Sequence, residues 1–138
     1  MSTKIIEYKE IFETDKNTIA KIEPVLAKFK AEFSVPDEKF YNIMIAVSEA
    51  INNALNHGNK FDPLKKVHFE LYADADKIIV KVRDEGEGFD PEDVADCTDP
   101  ANLLKSSGRG VYLIRELMHD VDFDLTHGTQ VIMTYYLR

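Results

Sequence analysis

Residues 48–58 read SEAINNALNHG, and the reading of this stretch decides the fold. Its apolar residues fall at helical spacing, yet three asparagines, a glutamate and a histidine crowd into three turns. Asparagine is a mediocre helix former, because its short amide competes with the backbone for hydrogen bonds. Pro36 fits the first turn of the helix concerned, and Gly58 fits its stop. Between them Ile43, Val47, Ala50, Ile51, Ala54 and Leu55 make one apolar stripe. Glu49 and Asn53, four residues apart, share a face that falls beside this stripe rather than opposite it. A carboxylate and a carboxamide so placed suit the rim of a cleft. Both are hard oxygen donors of the kind Mg²⁺ accepts, and a glutamate can also act as a general base.

Working outward, residues 4–12 have the β-branched and aromatic content of a strand. Thr14 or Asp15 can cap a helix running to about Phe33, with Pro24 bending it or marking a late start. Residues 66–72 and 77–84 read as a hairpin turned at Ala73-Asp74-Ala75-Asp76. Residues 86–107 form a long segment rich in Gly, Asp, Pro and Ser, followed by a helix expected over 110–119. Residues 121–125 and 129–137 close the chain as a second hairpin around His127-Gly128. This order predicts an α+β fold, a two-layer α/β sandwich. Its sheet is mixed but mostly antiparallel, and helices cover one face. The 138 residues are expected to form a single domain.

Composition narrows the function. Hydrophobic residues make up 44% and charged residues 30%, an ordinary globular balance, and the net charge is −8. That sign argues against non-specific affinity for nucleic acid or an anionic membrane. Cys97 stands alone, so neither a disulfide framework nor a thiolate zinc site is expected. No apolar run approaches the roughly 20 residues of a membrane span, and a cytoplasmic location is expected.

Three further segments carry chemistry. In RDEGEGFD, residues 83–90, Asp84 continues the inward parity of Ile78, Val80 and Val82. A carboxylate buried there needs a donor, such as an exocyclic amine of a ligand. Gly86 and Gly88 would let backbone approach a flat ligand closely. In SSGRGVYLI, residues 106–114, Gly108 and Gly110 are expected to precede a helix, whose free N–H groups would make a phosphate cradle. Lys105, Ser106, Ser107 and Arg109 could add donors or charge. Gly128-Thr129 in the last hairpin could bring a hydroxyl to the same place.

Order and spacing together say more than any piece. E-x-x-x-N-A-x-x-H-G, then D-x-G-x-G, a variable loop, G-x-G opening a helix and finally G-T resemble the Bergerat-type (GHKL) ATP-binding superfamily. The details SEAINNALNHGN, RDEGEGFDP and SGRGVYLIRELMHDV look most like its anti-sigma-factor serine/threonine kinase branch. The resemblance implies ATP and Mg²⁺ as cofactors, with Asn53 holding the metal and Glu49 accepting the substrate hydroxyl proton. It implies that Asp84 reads the adenine amino group, with Gly86, Gly88 and Thr129 beside the base. Ser107, Gly108, Arg109 and Gly110 would lie on the phosphate side, and residues 89–107 would form a lid. Implied partners are a sigma factor, an anti-sigma antagonist and a second copy in a homodimer, with no direct nucleic acid and no membrane. One departure is Ser106, where some relatives place an arginine. Two other functions fit the same motifs: a histidine-kinase-like catalytic module working on a separate partner, and a nucleotide-regulated binding module. Asn56 is expected to face water, and His57 to be a boundary residue rather than a phosphoacceptor.

Overall fold

A computed structural model describes residues 4–86 and 106–138, the side chains of 106–109 excepted. The elements are β1 (Ile6–Glu13), α1 (Thr18–Glu32), α2 (Asp37–Asn52), a π-helical turn (Asn53–Gly58), β2 (Lys66–Ala73), β3 (Lys77–Arg83), α3 (Ser106–Leu117), β4 (Asp120–Asp124) and β5 (Gln130–Tyr136). The strands form one sheet in the order β1-β2-β3-β5-β4. The two-layer α+β architecture is the expected one. Its sheet, expected to be mixed, is antiparallel at every pairing among the described residues.

Strict alternation builds the two layers. Val67, Phe69, Leu71 and Ala73 on β2, Ile78, Val80 and Val82 on β3, and Val131, Met133 and Tyr135 on β5 all turn to one face and are buried. Against them pack Ile22, Leu26 and Phe29 of α1, the stripe Ile43, Val47, Ala50 and Ile51 of α2, and Ile114 of α3. The stripe continues through the π-turn as Ala54 and Leu55. The other sheet face carries Lys9, Glu70, Lys81, Arg83 and similar residues in partial contact with water.

Several boundaries differ from those expected. The first helix starts at Thr18, because both candidate caps are engaged elsewhere. The Thr14 hydroxyl donates to the Lys65 carbonyl across the sheet end, while Asp15 Oδ1 accepts the Asn17 N–H at 2.9 Å. Pro24 lies inside α1. Pro36 does flank α2, with Asp37 as the first helical residue.

The larger correction concerns α3. It begins at Ser106, so Gly108 and Gly110 lie inside its first turns instead of preceding it. Glycine costs about 1 kcal/mol in a helix interior, which is why the sequence suggests a later start. Contact between helices overrides that penalty at Gly110. A Cβ there would come within 2.8–2.9 Å of the Asn53 carboxamide, so a larger residue would make that side chain shift.

Candidate functional site

The carboxyl end of α2 widens into the π-turn. The Asn59 N–H reaches back five residues to the Ala54 carbonyl at 2.8 Å, and the Phe61 N–H reaches the Leu55 carbonyl at 2.8 Å. Lys60 and Phe61 close the turn at φ 50° and 54°, in the left-handed region. Such a conformation costs a non-glycine residue roughly 1–2 kcal/mol, so tertiary contacts must hold it. π-turns of this kind recur at functional sites. This one seats Gly58 directly on Asp84 and Asn59 beneath the loop that follows β3.

Asp84 is the centre of the arrangement. As the strand parity predicts, it turns inward, and only 4% of its surface is exposed. Its Oδ1 accepts the Gly86 N–H at 2.9 Å and the Thr129 N–H at 3.1 Å. Its own N–H continues the β3–β5 ladder to the Thr129 carbonyl at 3.0 Å. No hydrogen bond to Oδ2 is formed among the described residues. Burial raises the carboxyl pKa above its usual value, against the lowering effect of the two N–H donors and of Lys65 and Arg83. Three glycines make room for it. A Cβ on Gly58 would overlap the carboxylate and one on Gly86 would strike the Gly58 carbonyl, while one on Gly128, at φ +71°, would strike the Asp84 carbonyl.

Beside Asp84, Thr129 is 7% exposed, and its hydroxyl has no hydrogen-bond partner. Buried polar atoms are nearly always paired, and an orphan costs about 1–3 kcal/mol. A half-used carboxylate acceptor and an orphan hydroxyl side by side fit a flat heterocycle bearing both a donor and acceptors. They border a cavity of about 20 Å³ lined by Ala50, Asn53 and Ala54, by Val82 and Asp84, by Ile114 and by Thr129 and Val131.

Asn53 is half-buried at the edge of this cavity, and its carboxamide forms no hydrogen bond among the described residues. Gly110 lies against it. Glu49, one turn earlier, is also half-buried but lies outside the cavity lining. Asn52, Asn56 and His57 are exposed, which agrees with the expectation for Asn56. Ser107, Gly108 and Arg109 occupy the first turn of α3, where backbone N–H groups lack intrahelical partners. Gly110, one residue further on, falls outside that free set. Gly88, Cys97 and the candidate lid at 89–105 lie outside the described residues, as do the side chains of Ser106, Ser107 and Arg109. Among the described residues no group of three or more His, Cys, Asp or Glu side chains could hold a metal by itself.

Sequence reasoning passed over Asn59. It is fully buried, and its carboxamide joins three segments. Nδ2 donates to Thr14 Oγ1 and to the Lys66 carbonyl, both at 2.9 Å, and Oδ1 accepts the Glu85 N–H at 2.8 Å. Glu85 is held in turn. Its Oε1 accepts the Lys66 N–H at 2.9 Å, and its Oε2 lies 2.8 Å from His68 Nε2. The hydrogen bond to His68 is the main reason its carboxyl sits below the usual range.

Comparison with known proteins identifies the family. Residues 12–135 match the model of the histidine kinase-like ATPase domain family. The chain is similar to the serine-protein kinase RsbW of Oceanobacillus iheyensis, with 31% identity over 106 residues, 72% of this chain and 67% of that protein. It is 34% identical over 107 residues to the serine-protein kinase RsbW of Listeria monocytogenes, covering 73% of this chain and 68% of that protein. A solved structure of the RsbU and RsbW domains of a Mycobacterium tuberculosis protein matches with a TM-score of 0.67 and 16% identity. That match covers 96% of this chain and 32% of the other, and at such identity it speaks to the fold.

Proposed function

This chain belongs to the histidine kinase-like ATPase domain family, and from that premise we propose that it is an ATP-dependent serine/threonine protein kinase of the anti-sigma type. In this reading it phosphorylates an antagonist protein and sequesters a sigma factor, working in the cytoplasm as a homodimer. The observation that carries the nucleotide part is the buried pair of Asp84 and Thr129, a half-used acceptor beside an orphan hydroxyl. The kinase part is supported by the names of the relatives, serine-protein kinases that align over most of this chain. No helix among the described residues is long and apolar enough to cross a membrane.

Phosphoryl transfer asks little covalent chemistry of a protein. It needs positioning, charge neutralisation and a base for the incoming oxygen. ATP supplies the phosphoryl group, and its Mg²⁺ neutralises phosphate charge. Asp84 accepts a hydrogen bond from the purine amino group through its free Oδ2, and the Thr129 hydroxyl gains the partner it lacks. The Asn53 carboxamide oxygen offers a metal ligand, and the free N–H groups in the first turn of α3 face the phosphates. Glu49 takes the proton of the incoming serine or threonine hydroxyl.

The test incubates the pure protein with labelled ATP, Mg²⁺ and candidate antagonist proteins. Acid-stable label on a partner's serine or threonine is the expected result. Acid-labile label would point to histidine-kinase-like chemistry, and tight binding without label to a nucleotide-regulated binding module. Asn53→Ala is expected to remove the Mg²⁺-dependent part of ATP affinity. Equal ATP affinity with and without Mg²⁺ in the parent would defeat the assignment of Asn53.

A further inference from the structure

We propose that Asn59 is a positioning residue for base recognition: buried under the loop after β3, it fixes the direction in which Asp84 presents its free oxygen. The inference rests on the reading of Asp84 as the purine acceptor, and its test separates the two.

The loop at 84–86 leaves the sheet beyond the end of β3, where the ladder no longer constrains it on the β2 side. The Glu85 carboxylate reaches back to Lys66 and His68 of β2, and two further contacts act next to Asp84 itself. Gly58 touches the Asp84 carboxylate, and the Asn59 Oδ1 holds the Glu85 N–H, the donor next in sequence to Asp84. Asn59 can hold it firmly because its other end is anchored twice, on Thr14 after β1 and on Lys66 at the start of β2. All of its side-chain donors and one acceptor site are thus engaged in a water-free position. A hydrogen bond inside such a network is stiffer than one at the surface. The strained residues Lys60 and Phe61 follow immediately, so the network also holds the turn that brings Asn59 inward. If Asn59 let go, the Glu85 amide would swing toward water, taking the adjoining carboxylate off its line into the cavity. Contacts to the phosphates, made from α2 and α3, would not change.

That separation provides a readout that a purely structural role would not move. ATP and purine riboside triphosphate differ in the 6-amino group that Asp84 is read as accepting. Binding of both is measured for the parent, Asp84→Asn, Asn59→Ala and Thr14→Val, with thermal melting to establish that each is folded. The parent is expected to prefer ATP, and Asp84→Asn to lose the preference. Asn59→Ala is expected to lower the preference by about threefold to tenfold, the worth of one net hydrogen bond, with binding of the riboside analogue retained. Thr14→Val removes one of the two anchors of Asn59 Nδ2, together with the hydroxyl's bond to the Lys65 carbonyl, and is expected to lower the preference in the same direction by about twofold. Should Asn59→Ala not fold, Thr14→Val decides the matter, and an undiminished preference there overturns the proposal. It is equally overturned if Asn59→Ala weakens both ligands by one factor; loss of the preference in Asp84→Asn then leaves the base reading standing. A preference that survives in Asp84→Asn removes the base reading, and the role of Asn59 with it.

Discussion

Asp84 and Asn53 line the same small cavity, yet their surroundings differ in kind. Around Asp84 everything is tied. Its Oδ1 takes two backbone donors, three glycines close on the loop that carries it, and Asn59 anchors the next amide. Around Asn53 the carboxamide has no hydrogen bond among the described residues, Glu49 is half-buried nearby, and Gly110 of α3 lies against Asn53. Among the described residues, hydrogen bonds cross-link the first half and leave the carboxamide of the second unengaged. The difference suits the chemistry: a base is recognised by fixed donors and acceptors, whereas phosphates must enter, react and leave. Substitutions in the tied half should therefore disturb stability and binding together, and those in the open half function alone.

The largest expected effect lies in the open half. Glu49→Ala should leave stability within about 0.5 kcal/mol and ATP binding intact while slowing transfer by ~10²–10⁴, the usual range for a general base. Single-turnover phosphorylation beside a binding titration measures both. Parental turnover in this variant would take the base role away from Glu49. Next comes the tied half. Gly58→Ala places a methyl group on the Asp84 carboxylate and should destabilise the fold by about 1–3 kcal/mol, with loss of ATP affinity. A urea titration reads this, and a parental midpoint would show that the close contact is soft.

How far each half was legible in the sequence follows from the same contrast. Asp84 could be placed inward from strand parity alone, since side chains alternate and the three residues of like parity before it are apolar. Gly86 was read as a close approach to a flat ligand, whereas the neighbour it clears in the structure is the Gly58 carbonyl. Asn59 could not be found, because its partners lie 45, 7 and 26 residues away and it turns inward only because the helix end widens. Local pattern carries no trace of such a turn. The start of α3 was misplaced for a related reason: glycine propensity argued against helix, while the close approach of Gly110 to Asn53 is a tertiary contact that local pattern does not show. Of the asparagines at 52, 53 and 56, two are simply exposed. Only Asn53 borders the cavity, so their abundance marked the helix end without marking one face of it.

Thr129→Val tests the boundary between the halves with opposite signs. Removing a buried hydroxyl that has no partner should stabilise the free protein by about 1 kcal/mol. The same change should weaken ATP binding if that hydroxyl serves the base. Thermal melts with and without nucleotide give both numbers. A variant less stable than the parent would mean that the hydroxyl is satisfied in solution, and the case for an awaiting ligand group would lose its main support.

The smallest effect is a pair of opposed pH dependences from two neighbours in sequence. The Asp84 carboxyl is raised by burial, so its contribution to stability is fully present below the unfolded value of about 3.9 and is lost as pH rises through the folded value. The Glu85 carboxyl is lowered chiefly by the His68 hydrogen bond, so its contribution is present above about 4.3 and is lost as pH falls through the folded value. The two oppose each other in the parent, and single replacements should expose them. Relative to the parent, Asp84→Asn should gain stability as pH climbs from acid toward neutral, because it removes a carboxylate that is costly to ionise where it sits. Glu85→Gln should lose relative stability over the same climb, because the parent alone then acquires a well-held carboxylate. Urea midpoints at several pH values from strongly acid to neutral resolve the two slopes. Parallel slopes would mean that the tied half does not distinguish its two carboxylates, one aimed at the cavity and the other serving as a strut.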